Sequence, residues 1–433
     1  MTINIITLGC SKNIVDSEVL AAQLQKQGHQ ILFESAMRSD IVILNTCSFI
    51  GDAREESVDE ILQQLERKRR GQVKKVYVVG CLAQRSKDEL AEALPEVDGI
   101  FTFAELRKLV QAEDFQLLET SERLLSTPKH YAYLKVSEGC DHQCSYCAIP
   151  LIRGPHVSVP MEQLVDEAQA LAATGVKELI VIAQDTTWYG LDLYGRRQLA
   201  PLLEKLAAVR GIEWIRLHYS YPDGFPEEVL DLMASEPKLC KYLDIPLQHI
   251  ADPVLAAMRR SIDGRQTRAL IERIRKRVPG VVLRTTLMVG HPGEDEAAFA
   301  ELLDFVREAR FERMGAFQYS EEEGTWGAKH LKDSIPAEVK QERYDRLMEA
   351  QSGISAAFNT ARIGTTARVL FDSVQDGVLV GRSQWESPEV DGEILVSEAA
   401  FHHKGLQSSQ IIGTFAECKI TAAGEYDLLG EPL

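Results

Sequence analysis

The sequence predicts an α/β protein with three parts: an N-terminal doubly wound α/β domain, a central partial (β/α) barrel and a small C-terminal antiparallel β-barrel. The chain has 433 residues, which is enough for two or three domains of ordinary size. Short apolar runs alternate with helical patterns over most of its length, and this alternation favours parallel strands joined by helices. Residues 364–433 change to short β runs separated by turn residues.

The N-terminal domain is predicted over residues 1–125, where three apolar β runs are each followed by a helical pattern. The predicted strands are residues 3–8, 40–45 and 75–79. The predicted helices are residues 16–27, 53–70 and 87–93. Strands that alternate with helices pair in parallel, so we expect a doubly wound sheet. The polar stretch 121–130, which contains Pro128, is interpreted as a linker.

The central domain is predicted over residues 130–361, where six further strands alternate with helices. The predicted strands are residues 132–137, 178–183, 214–218, 242–245, 281–288 and 314–318. The predicted helices are residues 161–173, 200–208, 227–234, 296–309 and 337–361. Six β/α units fit a partial (β/α) barrel. In the last domain, 364–433, a small antiparallel barrel is predicted from β runs at residues 367–371, 378–380 and 411–420.

Composition excludes several classes of protein. The chain is 45% hydrophobic and 26% charged, as in globular proteins with a core rather than in disordered or fibrous ones. Its longest apolar runs fall far short of the ~20 residues that cross a bilayer. No basic segment with a cleavage site opens the chain, so we expect a cytoplasmic location. The net charge of −17 argues against extensive phosphate binding.

Three of the eight cysteines form a C-x3-C-x2-C motif after the first strand of the central domain. This motif triad, Cys140, Cys144 and Cys147, can bind three irons of a 4Fe–4S cluster and leave the fourth iron open. Disulfides are disfavoured because the cytosol keeps thiols reduced. A zinc site lacking a nearby fourth ligand and a redox C-x2-C pair formed by Cys144 and Cys147 alone are the alternatives.

Three further cysteines each come two residues after a predicted strand of the N-terminal domain. We call Cys10, Cys47 and Cys81 the strand-exit triad. Because the carboxyl ends of parallel strands share one edge of a sheet, we expect these cysteines to converge in a second iron–sulfur site. The alternative is that each is a small buried hydrophobic residue. That is our interpretation of Cys240 and Cys418, which have no partners at ligand spacing.

The cysteine motifs and their surroundings resemble a known family. The C-x3-C-x2-C motif is similar to that of the radical S-adenosylmethionine (SAM) superfamily. Residues 7–13 (TLGCSKN), 45–50 (NTCSFI) and 79–81 (VGC) resemble the methylthiotransferases of that superfamily, and the resemblance continues into a TRAM-like C-terminal barrel. The chain is most similar to the branch that modifies an aspartate of the small-subunit ribosomal protein S-twelve. The closer match is carried by residues 138–141 (EGCD), 183–187 (AQDTT) and 244–249 (DIPLQH).

The resemblance implies two 4Fe–4S clusters and SAM as cofactors. The cluster on the motif triad would bind SAM and cleave it to a 5′-deoxyadenosyl radical. The reaction would need this radical because a C–H bond next to a carboxylate is too weakly acidic for a general base to remove its proton. The cluster on the strand-exit triad would present a sulfur that a second SAM methylates. All six cysteines would thus be catalytic and metal-binding. The family also implies a reductant such as flavodoxin or ferredoxin.

Six residues near the carboxyl ends of the central strands are candidate SAM contacts, because barrel enzymes place their sites at this end. The candidates are Gln184, Asp185, His218, Ser220, Gln248 and Gly290. For any single polar residue among them, a helix cap or a turn is the alternative role. Gly290 lies within residues 287–294 (LMVGHPGE), which resemble the glycine-containing SAM segment of the family.

Charge favours a protein substrate over the tRNA adenosine that the sister branch of the family modifies. Residues 362–433 hold 5 Lys+Arg and 11 Asp+Glu, a net charge of −6. Such a module repels tRNA phosphates and suits a basic ribosomal protein, free or within the assembled subunit. The basic run 67–70 is interpreted as a solvated helix end, with rRNA contact as the alternative. A non-catalytic iron–sulfur scaffold is the third hypothesis.

Overall fold

A computed structural model describes residues 1–48, 51–105, 122–402 and 405–433 of the chain. A five-stranded sheet, a six-stranded sheet and a closed barrel follow one another in the order that the sequence predicts. Residues 49, 50 and 121, which belong to a quoted motif and to the predicted linker, lie outside the described residues. None of the helices in the described ranges is both long and apolar enough to cross a membrane.

The N-terminal sheet contains five parallel strands in the order β2-β1-β3-β4-β5. The strands are β1 Thr2–Thr7, β2 Gln30–Phe33, β3 Ser39–Thr46, β4 Val73–Gly80 and β5 Gly99–Ile100. Along β3, Ile41 and Ile43 pack in one core while Val42 and Leu44 pack in a second core on the opposite face. The doubly wound prediction is confirmed. The strands β2 and β5 escaped prediction because they are short and lack a buried apolar run.

Helices cover both faces of this sheet. They are Ser11–Lys26, Gly51–Arg69, Cys81–Arg85 and Lys87–Ala93, followed by a 3-10 turn, Phe103–Glu105. Two of them begin at the end of a strand with little intervening chain: the first starts four residues after β1, and Cys81 is already the first residue of a helix after β4. Short connections of this kind place the residues between strand and helix at one edge of the sheet.

The central sheet is an open, parallel partial barrel of six strands in the order β6-β9-β10-β11-β12-β13. The strands are β6 Tyr131–Lys135, β9 Glu178–Ile182, β10 Trp214–Leu217, β11 Leu239–Asp244, β12 Val282–Val289 and β13 Arg313–Gln318. A two-stranded hairpin, β7 Ser137–Glu138 with β8 Val157–Ser158, follows β6. All six predicted central strands are present, with ends that differ by a few residues.

Helices cover the outer face of the central sheet and bury one large apolar core against it. The helices that contribute to this core are Met161–Ala173, Leu199–Ala207, Glu227–Ser235, Gly264–Arg277, Glu296–Ala309 and Ala337–Ala361. Shorter helices of this domain are Ile149–Arg153, Leu191–Tyr194, Asp252–Ala257 and Trp326–His330. The start of Gly264–Arg277 is fixed by a capping box, in which Asp263 and Gln266 each accept a hydrogen bond from the other's backbone N–H.

The C-terminal domain is a closed five-stranded barrel in the order β14-β15-β16-β18-β17. The strands are β14 Thr366–Gln375, β15 Val378–Arg382, β16 Ile394–Ser397, β17 Phe415–Ala423 and β18 Leu428–Pro432. Short helices lie at Glu398–His402 and Ser408–Ile411, where the sequence predicted the beginning of a strand at residue 411. The barrel departs from a purely antiparallel one because β16 pairs in parallel with β18 rather than with its chain neighbour β17.

A buried ion-pair cluster joins the central sheet to the C-terminal barrel. Glu178, at the start of β9, is fully buried and accepts hydrogen bonds from Arg216 Nε at 2.8 Å and Arg382 Nη1 at 2.9 Å. Arg382 also binds Asp372, with Nε 2.6 Å from Oδ2. Glu178 is the only carboxylate that pairs with Arg216 in the part of the chain that is described. The contact between the two domains therefore depends on Glu178, since buried charges are tolerated only when paired.

Replacing Glu178 should destabilise the protein strongly. We expect Glu178→Ala to lower the free energy of unfolding by about 3–5 kcal/mol, because the buried Arg216 guanidinium loses its carboxylate. Urea unfolding followed by circular dichroism measures the change. The matched control is Glu213→Ala, which removes a half-exposed pair with Arg368 at the same interface and should cost about 0–1 kcal/mol. Equal losses of stability in the two variants would contradict this account.

Candidate active site

All six cysteines of the two triads line one cavity of about 400 Å³. The wall of the cavity takes residues from the strand exits of the N-terminal sheet and from the carboxyl ends of the central strands. Parallel sheets bind ligands at the edge formed by the carboxyl ends of their strands, and in both sheets this edge faces the cavity. Two cysteine sets that are far apart in the sequence face the same enclosed volume.

The strand-exit triad is held by three neighbouring strands, β1, β3 and β4. Cys10 precedes the helix Ser11–Lys26, Cys47 directly follows β3, and Cys81 opens the helix after β4. Gly9 has φ +90°, and a Cβ on it would lie 2.6 Å from the Cβ of Cys47. Glycine is required at this position because any side chain would displace Cys47 from the cavity wall.

Asn13 ties the three strand exits together. Its Nδ2 donates to the carbonyl oxygens of Leu8, at 2.8 Å, and Thr46, at 3.1 Å. Its Oδ1 lies 3.8 Å from the Cys81 sulfur and also accepts a hydrogen bond from Arg153 of the central domain. Asn13 belongs to the motif quoted from the sequence, but no pattern in the sequence indicated this role.

The motif triad lies in the loop between β7 and the helix Ile149–Arg153. The loop is closed by backbone hydrogen bonds from Cys140 N to Gly154 O, at 3.1 Å, and from Cys147 N to Cys144 O, at 3.2 Å. Gly139 has φ +76°, and a Cβ there would overlap the backbone of Pro155. Backbone hydrogen bonds and close packing, rather than a bound metal, therefore hold the loop that carries the three thiols.

Burial raises the pKa of one cysteine of the strand-exit triad and of two cysteines of the motif triad. It raises the pKa of Cys81 to about 12, against the opposing charge of Arg153. It also raises the pKa of Cys140 to about 12, while the pKa of Cys147 lies higher still above the ordinary value. These groups are neutral thiols at pH 7 in the metal-free protein. Iron binding must therefore release their protons, since thiols bind metals as thiolates.

Three of the six predicted SAM contacts line the cavity: Gln184, Ser220 and Gln248. Gln184 Nε2 donates to Glu138 Oε1 at 2.7 Å, and Gln248 has φ +73°, a strained conformation for a residue other than glycine. The Ser220 hydroxyl is buried and has no hydrogen-bond partner within the described protein. An unpaired buried hydroxyl and a strained backbone are typical of a surface that awaits a ligand.

The other three predicted contacts do not line this cavity. The Asp185 carboxylate lies 2.7 Å from His142 Nε2 and accepts a hydrogen bond from Thr187 N at 2.8 Å, so it supports a cavity residue from behind. His218 Nε2 lies 2.9 Å from the Ser387 hydroxyl of the C-terminal domain, and burial holds the pKa of His218 well below its usual range. A Cβ on Gly290 would overlap Lys340, so this glycine serves close packing.

Several residues of the cavity wall were not predicted from the sequence: Lys12, His142, Arg153, Tyr219, Tyr221 and Arg260. His142 stacks on Tyr221 with ring centroids 3.6 Å apart, and the Arg260 guanidinium lies 4.2 Å from the centroid of the same tyrosine. Arg260 also reaches the motif triad, with Nη1 3.7 Å from the Cys144 sulfur. No spacing rule links these residues, because they come from separate elements of two domains.

The cavity is basic although the chain is acidic. Among the described residues that line it, three are basic (Lys12, Arg153 and Arg260) and none carries a carboxylate. Arg153 is balanced by Asp16, at 2.7 Å, and Glu138, at 3.2 Å. Lys12 and Arg260 have no carboxylate partner within the described ranges. The site therefore offers two uncompensated positive charges to an anionic ligand.

The four basic side chains at residues 67–70 bind partners within the N-terminal domain. Lys68 Nζ lies 2.6 Å from Asp98 Oδ2, and Arg70 Nε lies 2.9 Å from Glu66 Oε1. Arg69 pairs with Glu96, and Arg67 donates to backbone carbonyls that include Met37, at 2.7 Å. These intramolecular partners favour the helix-end interpretation over contact with RNA.

Family models match the three domains separately. Residues 2–102 match Uncharacterized protein family UPF0004, residues 134–306 match the Radical SAM superfamily, and residues 363–433 match the TRAM domain. The predicted fold class and the predicted resemblance to radical SAM enzymes are confirmed.

Solved structures share the fold at low sequence identity. TsrM from Kitasatospora setae, a radical S-adenosylmethionine methyltransferase with cobalamin and a [4Fe-4S] cluster bound, aligns with a TM-score of 0.55 and 15% identity over 73% of this chain and 74% of its own. OxsB, a cobalamin-dependent S-adenosylmethionine radical enzyme, aligns with a TM-score of 0.51 and 14% identity over 82% of this chain and 56% of its own. At these identities the likeness concerns the fold alone.

Curated relatives match the chain from end to end. The ribosomal protein uS12 methylthiotransferase RimO of Cytophaga hutchinsonii is 50% identical over 432 residues, which cover 99% of this chain and 97% of the relative. The RimO of Bacteroides thetaiotaomicron is 49% identical over 434 residues, which cover 100% and 98%. With half of its residues shared over nearly its whole length, the chain belongs to the RimO family of radical SAM methylthiotransferases and is a transferase.

Proposed function

We propose that this enzyme adds a methylthio group to the β-carbon of an aspartate in the small-subunit ribosomal protein uS12. One observation carries the proposal: both cysteine triads line a single cavity. A methylthio transfer needs a hydrogen-abstracting group and a sulfur donor at the same substrate carbon. A cavity with one cysteine triad from each domain meets this need without movement of the substrate between sites.

We further propose that each triad holds one 4Fe–4S cluster, with Cys10, Cys47 and Cys81 as one ligand set and the motif triad as the other. In the described residues, no group of three or more His, Cys, Asp or Glu side chains is arranged to hold a single metal ion. A cubane cluster takes one thiolate on each of three irons, so its ligands stand farther apart than those of one ion. Sulfur-only donor sets fit iron–sulfur clusters better than they fit hard cations.

When bound, the two clusters and SAM supply one-electron cleavage of SAM and a transferable sulfur. The residues of the chain prepare the space for this chemistry. Tyr146, Tyr219 and Tyr221 add aromatic rings to the cavity wall. Gln184, Ser220 and Gln248 offer polar groups for SAM at the carboxyl ends of the central strands, and Arg260 adds a cation beside Cys144. Asp185 does not line the cavity, and its role is to orient His142, which does.

The charge of the C-terminal barrel supports a basic protein as the substrate rather than tRNA. Its exposed acidic residues are Asp376, Glu389, Glu393, Glu417, Glu425, Asp427 and Glu431. Most basic residues that the structure describes in this domain are engaged in ion pairs, namely Arg368 and Arg382. A tRNA-binding surface requires the opposite sign of charge. Ribosomal proteins are basic, so the barrel attracts one.

The remaining assignments complete the proposal. We propose domain boundaries at residues 1–125, 130–361 and 364–433, a cytoplasmic location where ribosomes are made, and electron supply by a reductant such as flavodoxin or ferredoxin. Asp185, His218 and Gly290 stay predictions as SAM contacts, and their hydrogen bonds and packing favour supporting roles.

Iron analysis tests the two ligand sets. The anaerobically reconstituted enzyme should contain about eight irons per chain, four for each cubane cluster. Replacing either triad by alanine should leave about four irons, because the other triad keeps its ligands. The matched control is Cys240→Ala, a buried cysteine outside the cavity lining, which should keep about eight. A triple variant of Cys10, Cys47 and Cys81 that retains the full iron content refutes the second cluster.

The substrate is tested by offering both candidates to one enzyme preparation. The reconstituted enzyme, with SAM, reductant and sulfide, is incubated with uS12, with small ribosomal subunits or with tRNA. We expect a methylthio mass increment on an aspartate of uS12, located by tandem mass spectrometry, and none on tRNA. An increment found on tRNA and never on the protein would exclude the proposed substrate.

A further inference from the structure

Lys12 is a buried cation that pairs with no carboxylate of the described residues. Its side chain lines the cavity and the residue is only 6% exposed. Throughout the described part of the chain, no carboxylate pairs with it and no hydrogen-bond acceptor is found for it. Its ammonium lies over the aromatic ring of Tyr219, with Nζ 2.8 Å from the ring centroid. A buried ammonium held only by an aromatic face is costly unless a ligand provides the missing charge.

The position of Lys12 is fixed from both domains. Lys12 is the second residue of the helix Ser11–Lys26, two residues after Cys10. Tyr219, from the central domain, adopts a left-handed backbone with φ +57°. Its N–H donates to Asp244 Oδ2 at 3.1 Å and its carbonyl accepts from Thr186 N at 3.0 Å. These bonds hold a strained conformation at the cavity wall, which is typical of a functional site.

The other two cations of the cavity contact neighbouring groups of the chain: carboxylates in the case of Arg153, and neutral acceptors in the case of Arg260. Arg153 is neutralised by Asp16 and Glu138. Arg260 donates to the Pro246 carbonyl at 2.7 Å and contacts the Cys144 sulfur, so it belongs to the motif triad. Among the described cations that line the cavity, Lys12 is thus the one with neither a carboxylate nor a hydrogen-bond acceptor, and it follows Cys10 by two residues, on the side from which sulfur is delivered in the proposed function.

We propose that Lys12 is a specificity-determining residue whose ammonium binds the carboxylate of the substrate aspartate inside the cavity. This inference rests on the proposed function. The carboxylate is bonded directly to the β-carbon, so holding it fixes the reacting carbon to within one bond length. An ion pair here also gives the buried Lys12 ammonium a partner, and a buried charge without a partner is strongly destabilising. An adenosine base carries no carboxylate and would leave Lys12 buried and unpaired, which disfavours tRNA.

Comparing aspartate and asparagine substrates tests the contact. The probes are uS12 and a uS12 variant in which the modified aspartate is replaced by asparagine, bound to the reconstituted holoenzyme with SAM. We expect the wild type to prefer the aspartate form by about 10- to 100-fold in Kd, the range of a charge-assisted hydrogen bond. Lys12→Met should bind both forms with equal, weak affinity, and Lys12→Arg should restore most of the preference. Asn is the matched probe because it differs from Asp mainly in charge.

Three further readouts separate this role from a structural one. Iron content and SAM affinity of Lys12→Met should equal those of the wild type, because Lys12 is not one of the six proposed cysteine ligands. The control Lys276→Met, an exposed lysine on the helix Gly264–Arg277, should keep the full preference for aspartate. If Lys12→Met keeps the preference, the inference is wrong. If it loses SAM affinity and keeps the preference, Lys12 binds the carboxylate of SAM instead and the inference is equally wrong.

The failure of the inference is distinguishable from the failure of the proposed function. If the wild-type enzyme places no methylthio group on uS12, the proposed function fails. If the wild type modifies uS12 and discriminates aspartate from asparagine independently of Lys12, only the role of Lys12 fails.

Discussion

The active site depends on one partly buried carboxylate at the contact between the first two domains. Asp16, on the helix that follows β1, pairs with Lys135 of β6 and lies 2.7 Å from Arg153 Nη1. Burial alone would raise the pKa of Asp16, but the two cations beside it hold its pKa below the usual range. Asp16 therefore stays ionised and fixes the strand exits of the N-terminal sheet against the mouth of the central sheet. This contact is what lets two cysteine triads share one cavity.

The same contact explains how an acidic protein contains a basic cavity. Asp16 and Glu138 pair with Arg153 but do not line the cavity. Their carboxylates therefore stabilise the contact between the domains and place no negative charge on the cavity wall. Lys12 and Arg260 keep their charge for a ligand. The net charge of −17 is thus carried elsewhere, while the interior focuses a positive potential on anionic groups.

Sequence patterns predicted those parts of the site that depend on local geometry. Cys10, Cys47 and Cys81 were expected to converge because each follows a parallel strand, and strands of such a sheet end at one edge. The Lys12–Tyr219 contact could not be predicted in this way, because it joins a helix of one domain to a strand exit of another. Gly290 shows the opposite limit: its position near a strand end indicated a SAM contact, which stays a prediction, whereas its close packing against Lys340 could not be predicted from the sequence. The parallel pairing of β16 with β18 is likewise a property of the closed barrel and not of local sequence.

The ion pairs around the C-terminal barrel also determine the charge of its exposed surface. Arg382 and Arg362 are buried in ion pairs with Glu178 and Glu386, and Arg368 pairs with Glu213 of the central domain. Two basic residues of this domain, Arg368 and Arg382, and the adjoining Arg362 are therefore used in internal and interdomain contacts, which leaves an outward surface dominated by carboxylates. A barrel that binds RNA needs its basic residues on that surface. Here the ion pairs that stabilise the domain contact are the same ones that favour a basic protein partner, so stability and substrate preference have one structural origin.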